Sequence, residues 1–337
     1  MAAPLISVSD LTLRFRTDEG LVTAVEDVSF DIAPGEILGL VGESGSGKSV
    51  TAKALMRLNA GNALYDPQSQ VMLTVPGRAP LDVLALRHER DMLAVRGGAI
   101  SMIFQEPMAS FAPALSIGHQ MIEQLLLHTK MSKRAARAHA IDMLDRVGIS
   151  EPAARIDQYS FELSGGMRQR AMIAMALSTQ PSLLIADEPT TALDVTIQAQ
   201  VIDLMKDLVR EFDMGILFIT HDLGVIAQTA DRVAVMYLGR IVESGAVRQV
   251  LRNPLHPYTR GLLAALPRLD ALDEPLKPVP GDIPSPLERP SGCVFHTRCV
   301  EKIGAVCERQ VPRLLTAEQG HSARCLLLEE QTARAAQ

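Results

Sequence analysis

Short apolar runs alternate with polar and glycine-rich segments along most of the chain. Ile6-Ser7-Val8 and Leu21 to Ile32 read as strands, and both precede Pro34-Gly35-Glu36, a turn. Ile37-Leu38-Gly39-Leu40-Val41 holds no polar side chain and predicts a short buried strand. Beyond the glycine-rich stretch that follows it, Val50, Ala54, Leu55 and Leu58 recur at helical spacing and predict a helix over 49–58. Ala99 to Phe104 predicts a further strand that ends at Gln105. Ile117, Met121, Leu125 and Leu126, then Ile141 and Leu144, predict helix over 117–147, with the basic stretch from Lys130 to Arg137 as a solvated face. A second long helix is expected from Ser164 to Ser178, and buried strands over 183–186 and 216–220. Val233 to Leu238 and Arg240 to Glu243 form a hairpin pattern around Gly239. Residues 60–98 carry no clear period. Strands alternating with helices predict an α/β core with a mainly parallel sheet. From about residue 253 prolines accumulate, among them Pro254, Pro257, Pro278, Pro280 and Pro290, and mark a linker-like tail.

Composition sharpens this picture in three places. At 337 residues the chain exceeds the usual single domain, so a main domain over 1–252 and an appendage over 253–337 are expected. Hydrophobic residues at 47% supply a sizeable core, and aromatics at 4% make that core aliphatic. A net charge of −6 gives no reason to expect nucleic acid. No apolar run approaches the roughly 18–20 residues of a membrane span. Met1-Ala2-Ala3-Pro4-Leu5 lacks the basic-then-apolar pattern of a secretory signal. The expectation is a soluble chain on the cytoplasmic side that reaches a membrane by docking on other subunits.

The chemistry is concentrated in two segments. Gly42-Glu43-Ser44-Gly45-Ser46-Gly47-Lys48-Ser49 is a phosphate-binding loop, Gly-x4-Gly-Lys-Ser, set between a predicted strand and a predicted helix. Its glycines let backbone N–H groups approach phosphate oxygens, and the helix N-terminus adds its dipole. Lys48 is expected at the β- and γ-phosphates and the Ser49 hydroxyl on Mg²⁺. Leu183-Leu184-Ile185-Ala186-Asp187-Glu188 is an apolar strand ending in two carboxylates: Asp187 suits a Mg²⁺ ligand and Glu188 a general base toward the attacking water.

With Leu163-Ser164-Gly165-Gly166-Met167-Arg168-Gln169-Arg170 added, these segments make the chain resemble the ATP-binding subunit of an ATP-binding-cassette (ABC) transporter over residues 5–250. The resemblance implies a phosphate-loop NTPase cassette with an antiparallel β subdomain and a helical signature subdomain over about 106–178. It makes Gly42, Ser44, Gly45, Ser46, Gly47, Lys48, Ser49 and Val50 ATP-binding residues. Gln105 matches the Q-loop, where it contacts Mg²⁺ and senses the membrane subunit, and His221, in Thr220-His221-Asp222, matches the switch histidine at the γ-phosphate. Ser164, Gly165 and Gly166 match the signature that caps the ATP of an opposite subunit. Ala192-Leu193-Asp194 match the D-loop, and Phe15 sits where an aromatic stacks on adenine. Within the family the chain is similar to the D-type ATPase subunit of oligopeptide and dipeptide permeases. That likeness rests on 105–110, 187–200, His256-Pro257-Tyr258-Thr259 and the tail from Pro280 through Cys299. It implies two permease subunits, a second related ATPase in a heterodimer and an extracytoplasmic substrate-binding protein, all at the bacterial inner membrane. Peptide is the implied cargo and oligosaccharide the alternative; a soluble ABC ATPase acting on nucleic acid or ribosomes is the rival of a different class, against which the single cassette and the acidic balance weigh. Ser110-Phe111-Ala112-Pro113 departs from the family's Ser-Leu-Asn-Pro, and 70–80 lacks its Phe-Asp-Gly element, both near the docking face for the membrane subunit.

All four cysteines, Cys293, Cys299, Cys307 and Cys325, fall in the tail, spaced Cys-x5-Cys-x7-Cys-x17-Cys. In a reducing compartment such a set points away from disulfides. It lacks the Cys-x2-Cys knuckle of structural zinc. Four thiolates suit a [4Fe–4S] cluster, as the resemblance also implies, with Zn²⁺ or no metal as alternatives. His296 and His321 are alternative ligands, expected otherwise at the surface.

Overall fold

The computed structural model describes residues 3–75, 77–105, 110–190, 195–266, 278–317 and 320–335. Strands are numbered along the chain: β1 (Ile6–Thr17), β2 (Gly20–Ile32), β3 (Ile37–Val41), β4 (Ala63–Tyr65), β5 (Gln70–Leu73), β6 (Leu81–Asp82), β7 (Ile100–Ile103), β8 (Leu183–Asp187), β9 (Gly215–Thr220), β10 (Arg232–Tyr237), β11 (Arg240–Ala246), β12 (Leu315–Thr316) and β13 (Ser322–Ala323). They build two sheets. The first is antiparallel and runs β2-β1-β5-β6, with β4 also on β1. The second runs β12-β13-β11-β10-β3-β9-β8-β7, parallel from β10 to β7 and antiparallel at the β11 side.

β3, β8 and β9 are buried along their whole length, as a parallel sheet covered on both faces requires. The period of two divides their side chains between two cores. Ile37, Val41, Leu184, Ala186, Ile216 and Phe218 face a core shared with the helices Ile117–His128, Lys133–Arg146 and Gly165–Leu177. Leu38, Leu40, Leu183, Ile185, Leu217 and Ile219 face a second core under the antiparallel sheet. The chemistry therefore leaves the sheet at one end of its strands, the carboxyl termini of β3, β8 and β9, the usual ligand side of such sheets.

Three local differences from the sequence reading have physical causes. β1 continues to Thr17 through register irregularities after Val8 and Leu11, with Asp10 at φ 51, and such a bulge breaks the alternation that would have revealed it. The helix expected over 117–147 is two helices, because Ser132 caps the second by accepting the Ala135 N–H at 3.3 Å. Residues 60–98 hold the short strands β4, β5 and β6, of two to four residues, too brief to show a period.

The tail folds back on the cassette. β13 pairs with β11 through Glu243–Ala323 and Ser244–Ser322, and Cys293, Val294 and Phe295 join the same core as the helices.

Candidate functional site

The loop leaving β3 is shaped by glycine where another residue cannot stand. Gly42 has φ 157 and a Cβ there would collide with the Met236 carbonyl. At Gly47, φ 100, a Cβ would lie 2.7 Å from the Ala24 carbonyl oxygen. The Ser46 N–H donates to the Glu43 carbonyl at 3.2 Å, and the Gly239 N–H to the Ser46 carbonyl at 2.8 Å. Lys48 is buried, and its Nζ donates to the carbonyls of Gly42 (2.7 Å) and Glu43 (2.9 Å). Burial pushes the Lys48 ammonium down from its ordinary pKa, while Glu188, Asp187 and Glu43 pull it back up. Beside it lies a cavity of about 210 Å³ lined by residues 44–50, Gln105, Glu188 and residues 22–24 of β2. Ser46 Oγ is buried there without a hydrogen-bond partner among the described residues. A cradle with an orphaned hydroxyl and a buried ammonium fits a polyphosphate.

β8 delivers the two carboxylates in different directions. Asp187 accepts from the Ser49 hydroxyl at 3.1 Å; burial raises its pKa and the Ser49 bond lowers it. This pair sits at the helix start beside the cradle and could hold a hard cation through oxygen ligands. Glu188 adopts φ 48, a left-handed conformation uncommon outside glycine, secured by its N–H bond to the Ile219 carbonyl at 2.9 Å. Its carboxylate accepts from Gln105 Nε2 at 3.2 Å and meets His221 Nδ1 at 3.3 Å. Asp222 holds the turn after β9 by accepting the N–H groups of Gly224 (2.7 Å) and Val225 (3.3 Å). The fold thus brings Ser49, Asp187, Glu188, Gln105 and His221 to one rim, although they lie far apart in sequence.

Other expected residues stand elsewhere. Ser164 and Gly165 are exposed at the start of the helix Gly165–Leu177, where Ser164 Oγ accepts the Met167 N–H at 3.3 Å; neither they nor Gly166 line the cavity. Phe15 packs on the second core, and it is its register partner Val22 that reaches the cavity wall. Val50 lines the cavity. Asp194, with Ala192 and Leu193, lies outside the described residues. Sequence reading missed Pro286 of the tail, which lines the same cavity, and no local pattern at Pro286 announces it.

The four thiols are free: Cys293, Cys307 and Cys325 are buried and Cys299 partly so. Burial pushes Cys293 and Cys299 up to about 11, and the neighbouring thiols add to the rise. Among the described residues, however, no group of three or more His, Cys, Asp or Glu has the arrangement of a metal site, so the geometry does not support the expected iron–sulfur or zinc centre. The histidines differ from expectation too. His321 is buried at 6% exposure, not at the surface, and its Nε2 lies 2.7 Å from Glu243. His296 Nδ1 bonds to the Cys293 carbonyl at 2.9 Å. Both rings are engaged away from any ligand role.

Residues 25–191 match the family model described as ABC transporter, and residues 242–307 match the one described as oligopeptide/dipeptide transporter, C-terminal region. The chain is 49% identical over 333 residues to a protein of Brucella melitensis biotype 1 named as a peptide import ATP-binding protein, covering 97% of this chain and 98% of that one. It is 44% identical over 331 residues to the dipeptide transport ATP-binding protein DppD of Bacillus subtilis, covering 98% and 97%. Among solved structures it resembles the dimeric bacterial ABC transporter cassette MJ0796, with a TM-score of 0.63 and 25% identity over 72% of this chain and 99% of that one.

Proposed function

The chain belongs to the ABC transporter family, and from that premise we propose that it is the ATP-hydrolysing subunit that powers peptide import across a bacterial inner membrane. One observation carries the catalytic half of this reading. Ser49–Asp187 and Gln105–Glu188–His221 converge beside a glycine cradle that holds a buried lysine and an unpartnered hydroxyl. The relatives carry the transport half: two full-length matches are named for peptide and dipeptide transport, and the C-terminal region matches the oligopeptide/dipeptide model.

In this reading ATP lies along residues 44–50, and Lys48 leaves its two carbonyl partners for the β- and γ-phosphates. Ser49, Asp187 and Gln105 are the residues that would hold Mg²⁺, and the ion would supply positive charge against the phosphate oxygens. Water attacks the γ-phosphorus, Glu188 takes its proton, and the bond to the ADP oxygen breaks to release phosphate. Gln105 and His221 aim the Glu188 carboxylate, and His221 also faces the γ-phosphate. Ser164, Gly165 and Gly166, at the start of the helix Gly165–Leu177, and Asp194 serve the site of a second, related ATPase, so that only a closed dimer contacts both faces of each nucleotide.

Among the described residues no helix is long and apolar enough to cross a membrane, so transport needs partners. Two permease subunits, shared with the second ATPase, fit this need; we assign one of them to the groove lined by Phe104, Ser110, Gln124 and Met172, with a substrate-binding protein on the far side. The subunit then sits peripherally on the cytoplasmic face. In the tail, the four thiols have the donor chemistry for a [4Fe–4S] cluster or, failing that, zinc, which would staple a segment with little core of its own, but their arrangement among the described residues is not that of a metal site. Iron, sulfide and zinc assays on anaerobically purified chain test that assignment, and metal-free folded protein removes it.

The function is tested by tagging the chain in its own cell and identifying what leaves the membrane with it. Two polytopic proteins, a second cassette ATPase and a binding protein carrying peptide are expected. Recovery without membrane partners overturns the importer, and sugar on the binding protein overturns the peptide cargo.

A further inference from the structure

The tail grips the phosphate loop at one residue, Glu43. Its carboxylate accepts two bonds from Arg298, at 2.7 and 3.1 Å, and only 4% of the arginine side chain is exposed. Arg298 is itself seated in the tail: Nε donates to the Pro280 carbonyl at 2.9 Å and Nη2 to the Val279 carbonyl at 3.3 Å. Its guanidinium also lies 5.7 Å from the Tyr237 ring. The Glu43 N–H donates at 3.0 Å to the hydroxyl of Tyr258, a fully buried ring packed on Tyr237 and Phe295. The Glu43 carbonyl is one of the two that receive Lys48. Side chain, amide and carbonyl of one loop residue are therefore all bound, two of them by residues 215 and 255 positions further along the chain.

A loop that binds phosphate through backbone N–H groups works only while its backbone is held in the binding shape. The glycines that permit that shape also make it entropically costly to keep. A buried bidentate arginine pair and a backbone bond to a rigid aromatic are among the stiffer restraints side chains can supply. Neither Arg298 nor Tyr258 lines the cavity.

We propose that the C-terminal region is a clamp on the phosphate-binding loop, in which Arg298 and Tyr258 are positioning residues for ATP. The proposal rests on the reading that ATP binds residues 44–50. The tail thereby conditions the affinity of the cassette for nucleotide, and ATPase activity becomes dependent on a segment outside the cassette.

The test measures binding of Mg-ATP to the full-length chain and steady-state hydrolysis, alongside thermal unfolding. Arg298→Met and Tyr258→Phe are each expected to raise the Kd and KM for ATP by about 10-fold, with a smaller change in kcat, while the fold is retained. Arg298→Lys, which keeps charge but loses the fork, is expected to recover part of the loss. Adding Glu43→Gln to Arg298→Met should cost less than the sum of the two alone. Arg260→Met is the control: it breaks a tail ion pair with Glu301 that does not touch the loop, and should change stability without changing Kd. If Arg298→Met does not fold, Tyr258→Phe and Arg298→Lys decide the matter. Wild-type affinity in folded variants, or losses no greater than those of Arg260→Met at equal stability, overturn the clamp. A wild-type chain that does not bind ATP instead overturns the functional reading on which the clamp rests.

Discussion

His256 should make the protein sensitive to mild acid. The ring is 1% exposed at the start of the helix Pro257–Ala264, where Nδ1 accepts the Tyr258 N–H at 3.1 Å. Its own backbone N–H donates to Glu243 at 2.9 Å, and the ring lies 5.7 Å from that of Phe295. A proton on Nδ1 would set two donors against each other in a site without water access. Burial, helped by the nearby Arg260 charge, pushes its pKa from 6.5 down to about 3. The unfolded chain therefore takes up this proton below pH 6.5 and the folded chain does not until about pH 3. Stability contributed by the neutral ring is complete above pH 6.5 and falls as pH falls through that window. Each pH unit costs about 1.4 kcal/mol, so pH 5 should lie about 2 kcal/mol below neutral from this group alone. Urea unfolding of wild type and His256→Asn at pH 7.5, 6 and 5, under reductant, isolates the effect, since asparagine keeps an acceptor at the cap. Wild type should lose about 2 kcal/mol more than the variant between pH 7.5 and 5. Equal pH dependence in both proteins would refute a buried neutral His256.

Three further outcomes are expected. Glu188→Gln should retain ATP binding and lose hydrolysis by about 10²- to 10⁴-fold, measured as phosphate release; turnover near wild type would remove Glu188 from the base role. Gly42→Ala should abolish ATP binding and lower the thermal midpoint, because its Cβ meets the Met236 carbonyl at a backbone angle that side chains avoid. Glu243→Leu should cost about 3–5 kcal/mol by chemical denaturation, since it strips partners from His321 and from the Leu255 and His256 amides in a fully buried site.

How far the molecule could be read from its sequence depended on how local each signal is. β3, β8 and β9 are buried on both faces, so their sequences are unbroken apolar runs, and those runs coincide with the strands to within a residue or so. The loop after β3 carries its own spacing, and glycine is required there for reasons that a single collision at Gly42 makes plain. β1 shows the opposite case. Its inward residues Val8, Leu11 and Leu13 are separated by a bulge, so period two fails although the strand is continuous. The cysteines show a third: their spacing carries donor chemistry, while ligating geometry depends on how the backbone around them packs, and the described residues do not adopt it.

Least legible were contacts made by the tail. A run of prolines reads as a linker because proline withholds the N–H that regular structure uses. Here the tail spends its remaining polar groups on the cassette instead. β13 adds to the sheet at β11, and His321 reaches the buried Glu243, which also receives the amides of Leu255 and His256. Arg289 pairs with Glu26 and Arg324 with Asp27, both on the strand whose start lines the nucleotide cavity. The side-chain pairs among these join distant residues, 78 positions apart for His321–Glu243 and 297 for Arg324 with Asp27. No window of sequence contains both partners, and neither partner's type demands the other. An arginine beside a cysteine looks like a surface residue until the fold shows that it has gone 94% out of solvent to meet the phosphate loop, as 6% exposure of Arg298 records. That cost is accepted only where the buried charge is matched, and Glu43 matches it. The tail therefore belongs to the energetics of the nucleotide site, whatever boundary the composition suggests at residue 253.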